Sequence, residues 1–284
     1  MQEFIKDVQA FHFLQYALLA GLLSSISCGI IGSYVTVRRI TYIAGAIAHC
    51  TLGGMGAARF LQKEYNLPIT PLSGAVLAAV LAAILIGLVR RHSSQREDTV
   101  LSAIWSLGMA IGLVFINKTG GYNEDLMSYL FGDILMVTSR DLILIGVLDM
   151  VIIAMVLFFY NKLIAVCFDE EFARVRGIHV EFYDLMLLIM IALTVVLLVQ
   201  VVGIVMVVAM LTLPAATANL LTRRLWQMMI VAVFFCLFCT CGGLAVSYQP
   251  DLPAGATIIL LNGLLYLLVL AGKKGWKTLR NHSL

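Results

Sequence analysis

Charge is what this sequence has least of. Asp, Glu, Lys and Arg make up 12% of its 284 residues, about half of the roughly 25% found in soluble domains. A chain so poor in charge cannot provide a water-facing surface for a protein of this length. Recognisable catalytic signatures are missing as well. The sequence has no G-x-x-x-x-G-K-[ST] phosphate loop, no H-E-x-x-H zinc helix, no G-x-S-x-G elbow and no G-x-G-x-x-G dinucleotide turn. It therefore has no means of its own to hydrolyse a nucleotide, and it reads as a non-enzyme. The formal net charge is only +3, too little to suggest a nucleic-acid partner.

Ligand pairing around the cysteines is also scarce. The six are Cys28, Cys50, Cys167, Cys236, Cys239 and Cys241. All but Cys167 fall inside apolar runs, so no disulfide framework is implied. Cys236, Cys239 and Cys241 resemble a metal box at first sight. No histidine or carboxylate stands near them, and they read as small hydrophobes in a packed helix.

What the sequence has in abundance is apolar length: 61% of residues are hydrophobic. Nine apolar segments follow one another, Phe13–Val37, Ile40–Phe60, Pro71–Val89, Val100–Asn117, Asp141–Leu163, Tyr183–Val202, Ile204–Leu221, Trp226–Tyr248 and Ala254–Gly272. About 20 apolar residues cross the hydrocarbon core as a helix. The expected fold is all-α, a polytopic membrane protein of eight or nine transmembrane helices forming one domain over residues 1–284. The ambiguity lies at Gln200–Gly203, where segments six and seven nearly fuse. The first segment reads as a retained span. It is longer than a signal-peptide core and is preceded by Glu3, Lys6 and Asp7.

With nine spans, fourteen of the nineteen Lys and Arg residues fall on one set of loops, among them Arg38, Arg90, Arg91, Arg174, Arg223 and Lys273. The basic side is cytoplasmic, so the N-terminus is expected outside and the C-terminus inside. Two loops stand out. The outer stretch Lys118–Arg140 carries SYLFGDILMV, too short to cross and suited to a re-entrant or interfacial helix. The inner stretch 164–180, IAVCFDEEFARVRGIHV, has Asp169 as an N-cap, Glu170 and Glu171 in a first turn and Gly177 as a stop. It reads as a short cytoplasmic amphipathic helix whose Phe172 and Val175 need lipid or another protein.

Polar residues inside the spans mark candidate function. In the second segment Gly45, His49 and Gly53 share a face, with Gly56 and Ala57 one turn on. Small residues there admit a close neighbour, and imidazole is a ligand for transition metals. The plainer reading is that His49 hydrogen-bonds a carbonyl. Asp149, within the fifth segment, is a functional candidate or a buried partner for a neighbouring hydroxyl. Gln200, Asn219 and Asn262 read as helix-to-helix hydrogen bonds. Pro214 is expected to break or kink the seventh segment and free a backbone carbonyl.

Four stretches together resemble a known family: RRITYIAGAIAHCTLGGMG (38–56), REDTVLSAIWSLGMAIGLVFI (96–116), YLFGDIL (129–135) and the run from FDEEFARVRGI to VVGIVMVVAMLTLPAATA (168–218). They are similar to the permease subunits of metal-type ABC importers, which move zinc, manganese or iron(II) into bacteria. The resemblance implies an ABC importer permease fold in the cytoplasmic (inner) membrane. It implies an ABC ATPase that supplies ATP energy, an extracytoplasmic metal-binding protein, a second permease copy as homodimer partner, and a divalent metal as cargo with no cofactor bound by this subunit. The family's docking pattern E-F-A-x-x-x-G falls on Glu171, Phe172, Ala173 and Gly177, making 164–180 the coupling helix. His49 matches a histidine of the metal path. Manganese-type members carry an Asp one turn before it, where this chain has Gly45, so the softer donor set tilts towards zinc. A metal-chelate importer is an alternative cargo reading. An intramembrane enzyme using His49 with a cysteine or Asp149 lacks a nucleophile–base pair.

Overall fold

The computed structural model describes residues 7–92, 97–119, 132, 134–248, 250 and 252–282. Among them every long element is a helix: α1 His12–Val37, α2 Thr41–Tyr65, α3 Pro71–His92, α4 Glu97–Thr119, α5 Ser139–Phe168, α6 Glu170–Val175, α7 Val180–Val202, α8 Ile204–Leu221, α9 Leu225–Tyr248 and α10 Ala254–His282. A single 3-10 turn, Ile134–Met136, precedes α5. Helix is the expected solution in hydrocarbon, because every backbone N–H and C=O of a span must be satisfied within the segment.

Nine of these helices are long, and eight are both long and apolar enough to cross a membrane. The exception is α2, expected to be a span. Its glycines, His49, Thr51 and the terminal Arg59, Lys63 and Glu64 lower its hydropathy. It is nevertheless heavily buried, packed by α3, α4 and α7. Segments six and seven do not fuse. They are separate helices broken at Gly203, whose φ of 79° is a glycine conformation. Two boundaries differ from expectation. The fifth helix runs on to Phe168, so residues 164–168 belong to it, and only Asp169 separates it from α6. The last helix continues past Gly272. Pro214 does not break α8, which is continuous through it. The ring still deprives the Met210 carbonyl of its i+4 donor. Half of the SYLFGDILMV stretch, residues 128–131 and 133, lies outside the described residues, and Ile134–Met136 of the rest form the 3-10 turn.

The chain divides into two compact units. One comprises Met1–Thr36, Asp133–Ile143 and Ala209–Leu284. In it, the backbone of α1 at Gly29 and Gly32 lies directly against Val233 of α9 and the Leu211 carbonyl of α8. The hydroxyls of Ser24, Ser25 and Ser33 donate to carbonyls one turn back at 2.6 Å, so these three serines of α1 are satisfied inside the helix. Cys236 and Cys239 are buried and free, in keeping with the packing role read for them. Asn262 donates to the Ile258 carbonyl of its own helix at 3.0 Å, not to a neighbouring helix. Asn219 is exposed. The Lys273 ammonium donates to the Leu220 carbonyl at 2.6 Å, which puts the basic stretch of α10 beside the end of α8.

The second unit, Val37–Gly132 and Leu144–Val208, holds α2, α3, α4 and α7. Here α2 is gripped on two faces. Gly54 meets Gly74 of α3 so closely that a Cβ on either would collide with the other's carbonyl. On another face Gly53 and Gly56 lie against the carbonyls of Gly108 and Gly112 of α4, each 2.8 Å from where a Cβ would stand. Such contacts hold helices together in lipid, where burial of apolar surface provides no drive for association. Replacing Gly54 with Leu is expected to lower stability by about 1–3 kcal/mol or more, the usual cost of overpacking. Gly146→Ala, with nothing within 4 Å of its Cβ position, should be silent. Thermal melting of the detergent-solubilised variants measures both.

Candidate functional site

The second unit also carries every residue singled out for metal passage and coupling except Pro214. His49 stands two turns into α2 and faces α4. Its ring stacks on Trp105 with centroids 4.3 Å apart and planes 20° from parallel. His49 Nδ1 is buried and has no hydrogen-bond partner. It does not bond a carbonyl, which was the plainer expectation. Trp105 also covers Gly45: a Cβ there would lie 2.9 Å from Cζ3 of the indole. A carboxylate side chain at position 45 therefore has no room while the indole holds this place. Gly45, His49, Gly53 and Gly56 have α4 as their close neighbour, through Trp105, Gly108 and Gly112.

Trp105 was not picked out from the sequence. The available signal was its spacing with Gly108 and Gly112, which puts all three on one face of a helix. Cys50, the next residue, also meets α4: its thiol donates to the Ile104 carbonyl at 3.4 Å and it lies against Gly108. Asp149 on α5 is 3% exposed. Among the described residues no three His, Cys, Asp or Glu side chains gather as a metal cage.

The coupling candidate is well formed. Asp169 is extended (φ −153°, ψ 100°) and its carboxylate accepts from the Phe172 N–H at 2.9 Å, an N-cap bond. Glu170 and Glu171 sit in the first turn, where the helix dipole favours negative charge. At the other end, the N–H of Ile178 donates to the Ala173 carbonyl at 3.0 Å and that of Gly177 to Arg174 at 2.9 Å. With Gly177 at φ 74° this is a Schellman closure. Both ends are locked, so six residues hold a helix that would not persist alone. Ala173 is buried against the body, whereas Phe172 is 48% and Val175 88% exposed. The Arg176 guanidinium lies over the Phe172 ring, 4.9 Å from its centroid.

Around the foot of α6 a charged cluster closes. Arg38, in the turn between α1 and α2, donates to Glu170 and to Asp184 of α7. Asp184 also accepts from Arg90 at the end of α3, at 3.3 Å. Beside it a cavity of about 320 Å³ is lined by Arg91, Arg174 and Glu181 among others. Arg38, Arg90, Arg91 and Arg174 thus share one end of this unit, as the charge distribution required. Lys63, at the far end of α2, bonds the Thr119 carbonyl that closes α4.

Sequence comparison decides the family. The profile of the ABC 3 transport family (ABC-3) matches residues 10–273. The chain belongs to the ABC-3 transport family. A Chlamydia trachomatis serovar D relative named "Probable metal transport system membrane protein" is 41% identical over 260 residues, 92% of this chain and 89% of that one. The manganese transport system membrane protein MntC of Halalkalibacterium halodurans is 33% identical over 93% of this chain and 89% of its own. Among solved structures, PsaBC from Streptococcus pneumoniae in complex with Fab superposes with a TM-score of 0.85 at 30% identity, covering 94% of both chains. This ABC-3 chain is a multi-pass, all-helical permease of a metal-type ABC importer, as the four sequence stretches implied.

The Trp105–Gly45 fit yields a packing prediction. Gly45→Val should cost about 1–3 kcal/mol. Combining it with Trp105→Ala should cost less than the two separate losses added together, because the second change removes the ring the valine strikes. A double-mutant cycle of melting temperatures measures the coupling.

Proposed function

We propose that this permease passes a divalent first-row transition metal across the bacterial cytoplasmic (inner) membrane, driven by an ABC ATPase that docks on α6. The observation that carries the reading is α6 itself. A helix capped at both ends and offering Phe172 and Val175 outward is a rigid lever with an exposed apolar face. The match of Glu171, Phe172, Ala173 and Gly177 to the family's docking pattern supplies the partner. ATP acts through that subunit; Asp169, Glu170 and Glu171 form the capped first turn of the coupling helix, with Glu171 the docking carboxylate of the family pattern. An extracytoplasmic metal-binding protein delivers the ion, and a second copy of the permease completes the path as a homodimer. Membership of the ABC 3 transport family supports assembly with an ABC ATPase.

His49 is the path residue in this reading. Its unpartnered Nδ1 is free to meet an ion transiently. Asp149, buried on α5, is a secondary candidate, and the Met210 carbonyl released by Pro214 is a third polar group on the membrane segments. Zinc is the proposed cargo, because imidazole without a carboxylate at position 45 suits a borderline-soft ion. Manganese is a second reading of comparable support, since MntC relatives from Halalkalibacterium halodurans and Listeria monocytogenes are named manganese transporters at 33% and 31% identity.

His49→Ala is expected to abolish metal uptake while the ATPase still co-purifies. Uptake at the wild-type rate removes His49 from the path. Glu171→Arg and Gly177→Trp are expected to release or uncouple the ATPase. Normal co-purification with normal transport overturns the docking assignment. Uptake of zinc, manganese and iron(II) by the reconstituted complex, read by elemental analysis, decides the cargo.

A further inference from the structure

We propose that Arg38 is the joint through which movement of α6 reaches α2, a positioning role that rests on the reading of α6 as the ATPase-docking helix. Arg38 lies in the three-residue connection between α1 and α2, with its side chain only 5% exposed. One arm of its guanidinium donates to Glu170, the first residue of α6, and the other to Asp184 of α7. Asp184 in turn holds Arg90 of α3 at 3.3 Å. A single fork, buried at Arg38 and half-exposed at Glu170, thus connects α6 to α7 directly and to α3 through one carboxylate, and it does so from the residue that leads into α2.

The other ties of α6 to this body are weaker or local. Ala173 is its buried residue. The Arg174–Glu181 pair, at 3.5 Å, has both side chains largely in the open, where water and salt screen it. The Arg38 pairs differ in kind. A planar guanidinium presents its N–H groups in a fixed geometry, and pulling a buried arginine from its carboxylates leaves an uncompensated charge. The fork therefore resists separation and moves as a unit with Glu170.

The local backbone is arranged to keep it in place. Arg39, next in the chain, sits at φ 57°, a left-handed conformation that side-chain-bearing residues hold only where their surroundings demand it. The corner is thus fixed in a tight turn with Arg38 aimed inward at Asp184 and Glu170. α2 begins at Thr41, and His49 follows on the same helix. A tilt or shift of α6 pulls on the foot of the helix that carries His49. Asp184 extends the same pull to α7 and α3, both of which pack against α2 or each other.

The test uses the permease reconstituted with its ATPase and metal-binding protein, and reads metal ions moved per ATP hydrolysed. Arg38→Gln and Glu170→Gln are expected to retain the ATPase on co-purification and to lower that ratio about tenfold or more, the scale of losing a hydrogen bond to a charged group. Arg38→Lys, a point charge able to hold one carboxylate at a time, should fall between them and wild type. Glu170 is 46% exposed, so Glu170→Gln decides the matter if Arg38→Gln fails to fold. An unchanged ratio in Glu170→Gln overturns the proposal. Loss of the ATPase from Glu170→Gln overturns it too, because Glu170 then belongs to the docking face. Failure of the docking reading shows separately, as normal ATPase binding and transport in Glu171→Arg.

Discussion

The contact on which the second unit depends is backbone against backbone. α2 lies between α3 and α4 with glycine on both sides of each approach, Gly54 to Gly74 and Gly53 and Gly56 to Gly108 and Gly112. In lipid there is little gain from hiding apolar side chains, so helices associate through close packing and shared polar contacts. That constraint accounts for the composition of α2. A helix meant to be touched along two faces must be made of small residues, and small residues give it too little hydropathy to qualify as a span by composition alone. Its burial by protein takes the place of solvation by lipid.

The same constraint sets the surroundings of His49. A wide aromatic ring can sit over this helix only where the helix has no side chain, and Gly45 is that place. Trp105 fills it and lies flat on the imidazole. The exchange of a carboxylate for glycine at position 45, which in the sequence looks like the loss of a ligand, is in the fold also the gain of a stacking surface. In this fold an aromatic wall stands at position 45. That wall makes the environment of His49 less polar than an Asp–His pair would be.

The end of the unit that carries α6 follows a different physics. Outside the hydrocarbon, charge becomes cheap and directional, and the ends of α2, α3 and α7 are joined to α6 through arginine and carboxylate. α6 is short enough that its caps decide its existence. Asp169 supplies the N-terminal bond and Gly177 the left-handed turn, so that six residues act as one rigid piece. Rigid at its ends and gripped at its foot, it is suited to pass on a displacement that originates outside the membrane.

Much of this was legible in one dimension, because the bilayer imposes length, apolarity and charge sidedness on each span separately. The nine long helices, the capped helix at 169–177 and the basic ends of the second unit follow from local chemistry that needs no partner. Gly203 as a helix break was less visible, since only its positive φ parts α7 from α8. Pro214 was expected to break a helix that in fact carries on through it, because a single lost hydrogen bond is tolerated where neighbouring turns and helices hold the rest. What the sequence alone could not decide is which surfaces meet. The stacking of Trp105 on His49 and the reach of Arg38 to Glu170 and Asp184 join residues 56, 132 and 146 positions apart, and no periodicity within a segment encodes such pairs. They exist because helix packing brings distant segments to one place, and that choice is made only when all the spans are assembled.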